Sequence, residues 1–93
     1  MAAIPFIPLL AEFLGTFLLL TAIFYTGNFL AIGLTLAIVI FLFGNISGGH
    51  VNPAVSLAMY LKGSLSVQEL VLYVVAQSAG AVASLYTMNA LGL

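Results

Sequence analysis

Long apolar stretches separated by short polar interruptions make up this sequence, and the interruptions place the elements. Residues 8–26 are almost entirely apolar and predict a first helix. Pro8 suits its opening turn, where a missing N–H is no loss. Gly27 and Asn28 break the run, and residues 29–45, nearly all aliphatic or aromatic, predict a second helix. The last run, 67–91, opens with Ser66 and Glu69 at the spacing of a capping box, which satisfies two orphan amides of a helix start. Each run is near the ~20 residues needed to cross ~30 Å of hydrocarbon.

The segment 46–62 has a different pattern. It begins Ile46-Ser47-Gly48-Gly49-His50-Val51-Asn52-Pro53. Two successive glycines stop a helix and permit unusual backbone angles. Asn52 is then a favoured N-cap and Pro53 a favoured first helical residue. About ten helical residues follow, roughly 15 Å or half of the bilayer core, before Lys62 and Gly63 end them. Extended chain followed by a half-length helix predicts a re-entrant loop. At that depth unpaired carbonyls are tolerated only against protein or a water-filled cavity.

Composition fixes the solvent. Of 93 residues, 65% are hydrophobic and 3% charged, against the quarter that a soluble domain carries. Glu12, Lys62 and Glu69 cannot hold such a surface in water, so the chain is expected in a lipid bilayer as an all-α membrane protein with three transmembrane helices and one re-entrant half-helix. With no basic n-region, its first apolar segment reads as a retained span rather than a signal peptide. A net charge of −1 offers nothing to nucleic acid, and the absence of cysteine excludes thiolate metal sites. No metal set, cofactor motif or nucleophile–base pair is visible, so an enzyme is not expected. Small residues four apart (Ala11 and Gly15; Gly33 and Ala37; Ala76, Gly80 and Ser84) predict close helix packing on three helices.

Three blocks then carry a resemblance. Ser47-Gly48-Gly49-His50-Val51-Asn52-Pro53-Ala54-Val55 resembles the first signature loop of the aquaporin, or major intrinsic protein, family. Ala11-Glu12-Phe13-Leu14-Gly15-Thr16-Phe17 resembles its first helix, and Ala76-Gln77-Ser78-Ala79-Gly80-Ala81 its third. The resemblance implies that residues 1–93 form a single half-repeat of an inverted-repeat fold. The second Asn-Pro-Ala motif and its following arginine are not in this sequence.

That resemblance implies site residues. Asn52, Pro53 and Ala54 would stand at the pore, with Asn52 capping the short helix and offering its amide to a solute. Carbonyls of Gly48, Gly49, His50 and Val51 would form a ladder of acceptors, opposed by the apolar second helix. Glu12 and Gln77 each read either as a proton or ion site or as support for loop amides, and the resemblance favours support. His50 reads as a backbone contributor rather than a metal ligand. The family's outer constriction, carried over by motif register, falls on Ile32, Gly49 and Val55, with Ile40 by inverted symmetry. None of these side chains donates a hydrogen bond, which implies passage of water with a small neutral solute such as glycerol.

A pore would need a partner, expected to be a second copy in inverted orientation, and by analogy an assembly of eight chains. Lys62 and the α-amino group are the only cations that would set orientation, and from three spans both lie on one side, a weak bias that makes dual topology credible. Two rival classes remain. A small multidrug-type antiporter would use Glu12 but leaves the Asn-Pro-Ala loop unexplained, and a non-conducting fragment or accessory subunit would merely pack on a complete channel.

Overall fold

A computed structural model describes residues 4–93, so the α-amino group invoked for orientation and the first residues of the half-repeat lie outside the described residues. Four helices follow one another: α1 (Phe6–Thr26), α2 (Phe29–Ser47), α3 (Pro53–Lys62) and α4 (Val67–Ala90). Helix α1 starts two residues before the expected position 8, because Pro8 still falls among the first orphan N–H positions and Leu9 N donates to Pro5 O at 3.1 Å. Helix α2 runs two residues past position 45, until Gly48 turns into the left-handed region (φ 90°) and its N–H closes on Gly44 O. Helix α4 ends one residue before position 91.

The boundaries come from local chemistry. Gly27 ends α1 at φ 55°, and Asn28 then caps α2, its Oδ1 accepting from Leu30 N and Ala31 N at 3.0 Å each. Ser66 and Glu69 form the full capping box on α4, with Glu69 N donating to Ser66 Oγ (3.1 Å) and Ser66 N to Glu69 Oε1 (3.0 Å). Gly63, at φ 97°, closes α3 with Ser64 N donating to Met59 O at 2.8 Å.

Helices α1, α2 and α4 are each long and apolar enough to cross a bilayer, and most of their surface stays outside the packed interior. Phe29 and Phe41 are each 85% exposed, which is costly in water and ordinary against acyl chains. The protein is an integral, multi-pass, all-α membrane protein. Helix α1 is central and packs on both α2 and α4, while α3 packs on α4 alone.

The α1–α4 crossing depends on a missing side chain. A Cβ at Gly80 would overlap Phe13 O and stand 3.2 Å from Phe17 N, so the two backbones meet with nothing between them. Thr21 Oγ1 and Ser84 Oγ share a hydrogen bond of 2.8 Å one turn further along. The expected packing of Ala11 with Gly15 and of Gly80 with Ser84 is thus present, all four being buried, while Ala76 is half-buried. The Gly33–Ala37 face differs. Both residues are exposed and a Cβ on Gly33 would meet nothing within 4 Å, because α2 turns Val39 and Phe43 toward α1 instead.

Candidate functional site

Glu12 is fully buried, and its carboxylate is the hub of the interior. Oε2 accepts from Ser47 Oγ at 2.6 Å and from His50 N at 3.0 Å. Oε1 accepts from Val51 N at 2.8 Å and from Gln77 Nε2 at 2.9 Å. A carboxylate offers about four lone-pair sites, and four donors fill them. One acid on α1 thereby ties down the end of α2, the loop at 48–52 and α4.

Around this hub the loop is held from several directions. Gly49 N donates to Ser47 Oγ at 3.2 Å, and Tyr73 Oη donates to Ser47 O at 2.8 Å. The His50 ring sits 5.1 Å from the Tyr73 ring and folds back over Gly48, where a Cβ would stand 2.8 Å from Nε2. Its Nδ1 lies 2.9 Å from Ser56 Oγ, which also accepts from Gln77 Nε2 at 2.9 Å. The sequence shows no nucleophile–base pair, yet the fold brings this serine and histidine together. Ser56 is completely buried, so no substrate reaches it and the pair is structural.

Val51 carries the strain. Its φ of 45° puts a β-branched residue in the left-handed region, a conformation costing on the order of 1–3 kcal/mol. The bond from its N–H to Glu12 and the burial of its side chain oppose that cost. A Cβ on Gly15 would lie 2.8 Å from Val51 Cγ1 and 2.9 Å from Val39 Cγ1, so the bare face of α1 leaves just enough room for both valines.

The amides of Gly49, His50 and Val51 all donate toward Ser47 and Glu12. In a trans peptide the preceding carbonyl points the opposite way. The carbonyls of Gly48, Gly49 and His50 therefore face away from the hub, and they accept no hydrogen bond among the described residues. Next in the chain, Asn52 is extended and caps α3, its Oδ1 accepting from Ala54 N at 2.8 Å. Its side chain is exposed, and Nδ2 finds no partner among the described residues.

A cavity of about 350 Å³ opens beside Asn52. Val51, Asn52 and Pro53 form one side, Thr16, Leu19 and Ile23 of α1 and Gln77 of α4 much of the rest. Glu12 thus meets the loop, Gln77 bonds Glu12 and Ser56, and Asn52 and Pro53 meet the cavity. Ile40 lies against Gly49, whose Cβ position is 3.3 Å from Ile40 Cα. Ile32, Ile40 and Val55 do not line this cavity, and Ile32 stands about 12 Å from Ile40 along α2. Nothing in the sequence marks Thr16, Leu19, Ser56 or Tyr73 individually. Helical spacing is the available signal: 12, 16, 19 and 23 share one face of α1, and 73, 77, 80 and 84 one face of α4.

Comparison with known proteins gives the family. The family described as Major intrinsic protein matches residues 6–92. The glycerol uptake facilitator protein-like 6 of Lactiplantibacillus plantarum is 43% identical over 82 residues, covering 78% of this chain and 38% of the relative. Aquaporin Z of Brucella melitensis is 43% identical over 89 residues, covering 80% of this chain and 39% of the relative. The aquaglyceroporin AqpS of Rhizobium meliloti is 38% identical over 89 residues, covering 78% and 38%. This chain therefore spans under two fifths of the length of these relatives. No solved structure matches. The family's members are membrane channels, not enzymes. With a match across nearly every described residue, the chain belongs to the major intrinsic protein family.

Proposed function

We propose that this chain is one half of a passive channel for water and small neutral solutes such as glycerol, completed by an inverted second copy. The observation that carries this reading is the loop at 48–52. Three carbonyls and the Asn52 amide are free of internal partners among the described residues, in a chain whose three spanning helices expose mostly apolar side chains. Such a row holds a file of water from one side, firmly enough to replace bulk solvation and loosely enough for release. Helix α3, ten residues or about 15 Å long, reads as the re-entrant half-helix of an Asn-Pro-Ala loop. It adds about half a positive charge at its N-terminus, which repels cations.

Partnering is supported by what α3 lacks. It rests on α4 alone, and Leu57 and Leu61 are 50% and 75% exposed, so its flank is open to a partner. An inverted copy provides a self-complementary surface and brings two α3 N-termini together. Lys62 alone among the described residues biases orientation, which suits insertion in both directions. Four such pairs, eight chains in all, are the assembly expected by analogy. Glu12, filled by four donors, is a poor substrate or proton site, which weighs against an antiporter.

The test is osmotic swelling of vesicles holding only this purified chain, with crosslinking to identify the assembly. The native chain should speed water flow above empty vesicles, and no acceleration from a crosslinked, folded assembly overturns the reading. Asn52→Ala removes both the cap of α3, worth about 0.5–2 kcal/mol, and the pore donor. It should lose most of the flow and weaken assembly. Full flow through a correctly assembled Asn52→Ala channel would rule out a pore at this residue.

Selectivity gives a second measurement. Val55 is exposed in the first turn of α3, where the aligned arginine would stand. Val55→Arg should reduce glycerol flux more than water flux, because a charged fork narrows an apolar passage and binds water more readily than carbon. A native chain that passes water and excludes glycerol contradicts this expectation and points to a different partner half.

A further inference from the structure

The contacts among Glu12, Gln77, Ser56 and His50 fix where each hydrogen lies. The Glu12 carboxylate only accepts, so Gln77 must donate to it, and turning the Gln77 amide over would set oxygen against oxygen. Gln77 Nε2 therefore donates one hydrogen to Glu12 Oε1 and the other to Ser56 Oγ, each at 2.9 Å. Ser56 is completely buried and has one hydrogen of its own to give. Its hydroxyl meets one further polar group among the described residues, His50 Nδ1 at 2.9 Å. A buried hydroxyl hydrogen rarely goes without an acceptor, so Ser56 donates and Nδ1 accepts.

An uncharged imidazole carries its proton on one nitrogen, and a bare Nδ1 puts it on Nε2. Nε2 stands 2.8 Å from where a Cβ of Gly48 would be, so the missing side chain leaves its N–H room. It has no bond among the described residues, yet unlike the oxygens of Thr16 and Gln77 it is not closed off from the surface. We infer that Ser56 is a positioning residue: it locks His50 in the tautomer with the proton on Nε2, and the loop thereby presents one N–H donor beside Gly48, where the row of free carbonyls begins. The other tautomer would strand the Ser56 hydrogen and set a bare acceptor at Gly48. A donor beside acceptors suits a molecule that can meet both, such as water or an alcohol, and gives nothing to a cation. The tautomer stands on these bonds alone. Only its effect on flow rests on the proposed channel function.

His50 is the only histidine in the chain, so nitrogen nuclear magnetic resonance of the purified full chain, made with isotope-labelled histidine, reads this ring alone. At neutral pH the native spectrum should show a protonated Nε2 and a bare, hydrogen-bonded Nδ1. Ser56→Ala removes the donor, and losing one hydrogen bond should shift the tautomer ratio by about two- to tenfold toward a protonated Nδ1. Vesicle water flow should fall with it, by about twofold when the two tautomers become equal and one offers no donor. Ser56→Thr, which keeps the hydroxyl, should keep the native spectrum. A native ring that carries a proton on Nδ1 overturns the inference without any variant, as does a Ser56→Ala ring with the native tautomer ratio. Unchanged flow through Ser56→Ala with an altered ratio overturns the donor's part in permeation. The expected tautomer in a native chain that moves no water upholds the lock and sinks the channel.

Discussion

Replacing Glu12 with alanine should abolish water flow and sharply lower thermal stability. Four donors lose their acceptor at once. Ser47 Oγ retains a long contact to Phe43 O (3.5 Å), and Gln77 Nε2 retains Ser56 Oγ (2.9 Å). His50 N and Val51 N retain nothing, and each buried orphan amide costs about 1–3 kcal/mol. Together they come to about 2–6 kcal/mol, a large fraction of the stability of a small domain, about 5–15 kcal/mol. The strained Val51 then has no reason to keep φ 45°, and the loop carbonyls lose their common direction. Glu12→Gln is the informative control. Its one oxygen serves Val51 N and Gln77 Nε2, while its NH2 faces Ser47, whose hydroxyl turns to accept, and His50 N, which goes unpaired. Flow should therefore fall in the order native, Gln, Ala, measured by stopped-flow vesicle shrinkage beside thermal unfolding. An alanine variant that conducts normally would show that the loop is held by other means.

At the α1–α4 crossing, Gly80→Val should separate the two helices. The added Cβ would collide with the backbone oxygen of Phe13, and no rotamer change relieves a clash with backbone. Overpacking of this kind costs about 1–3 kcal/mol even where some shift is possible. The displacement is transmitted to the site, because Gln77 lies one turn before Gly80 and its 2.9 Å bond to Glu12 spans the same crossing. The Thr21–Ser84 bond lies on the far side of the contact and lengthens with it. Gly80→Ala should lose less than Gly80→Val. Gly33→Ala serves as the reference, since its Cβ meets nothing within the chain and alanine favours helix by ~1 kcal/mol. Unfolding in a denaturing-detergent titration measures all three. Equal stability of Gly80→Val and the native protein would mean that the helices do not meet at this point.

Where the helices begin and end was legible in the sequence because boundaries are decided locally. A glycine with φ above zero, an asparagine or serine before a run, and a proline in the first turn act within four residues of themselves. Gly27, Asn28, Asn52, Pro53 and the Ser66–Glu69 pair all sit at such boundaries. The apolar runs, together with three charged residues, likewise fixed lipid as the solvent. Glu12 and Gln77 stood out as polar residues that hydrocarbon would reject, so their burial against other polar groups was expected on cost alone.

The sequence could not say which groups would meet. That Glu12 divides its four lone pairs between the end of α2, two loop amides and Gln77 depends on how close α1 and α4 approach, and a missing Cβ at Gly80 sets that approach. Three small-residue stripes looked alike in one dimension, yet only two are buried, because α2 presents Val39 and Phe43 rather than Gly33 and Ala37 to α1. Tyr73, unremarkable in the sequence, becomes a partner of Ser47 only when α4 reaches the end of α2, and Ser56 meets His50 only because the loop folds back on the first turn of α3. The sequence by itself determined the solvent, the helices and their caps, since each follows from forces acting over a few residues. The tertiary structure alone decided the direction of the loop carbonyls, the left-handed Val51 and the cavity beside Asn52, since each is a balance struck between groups tens of residues apart.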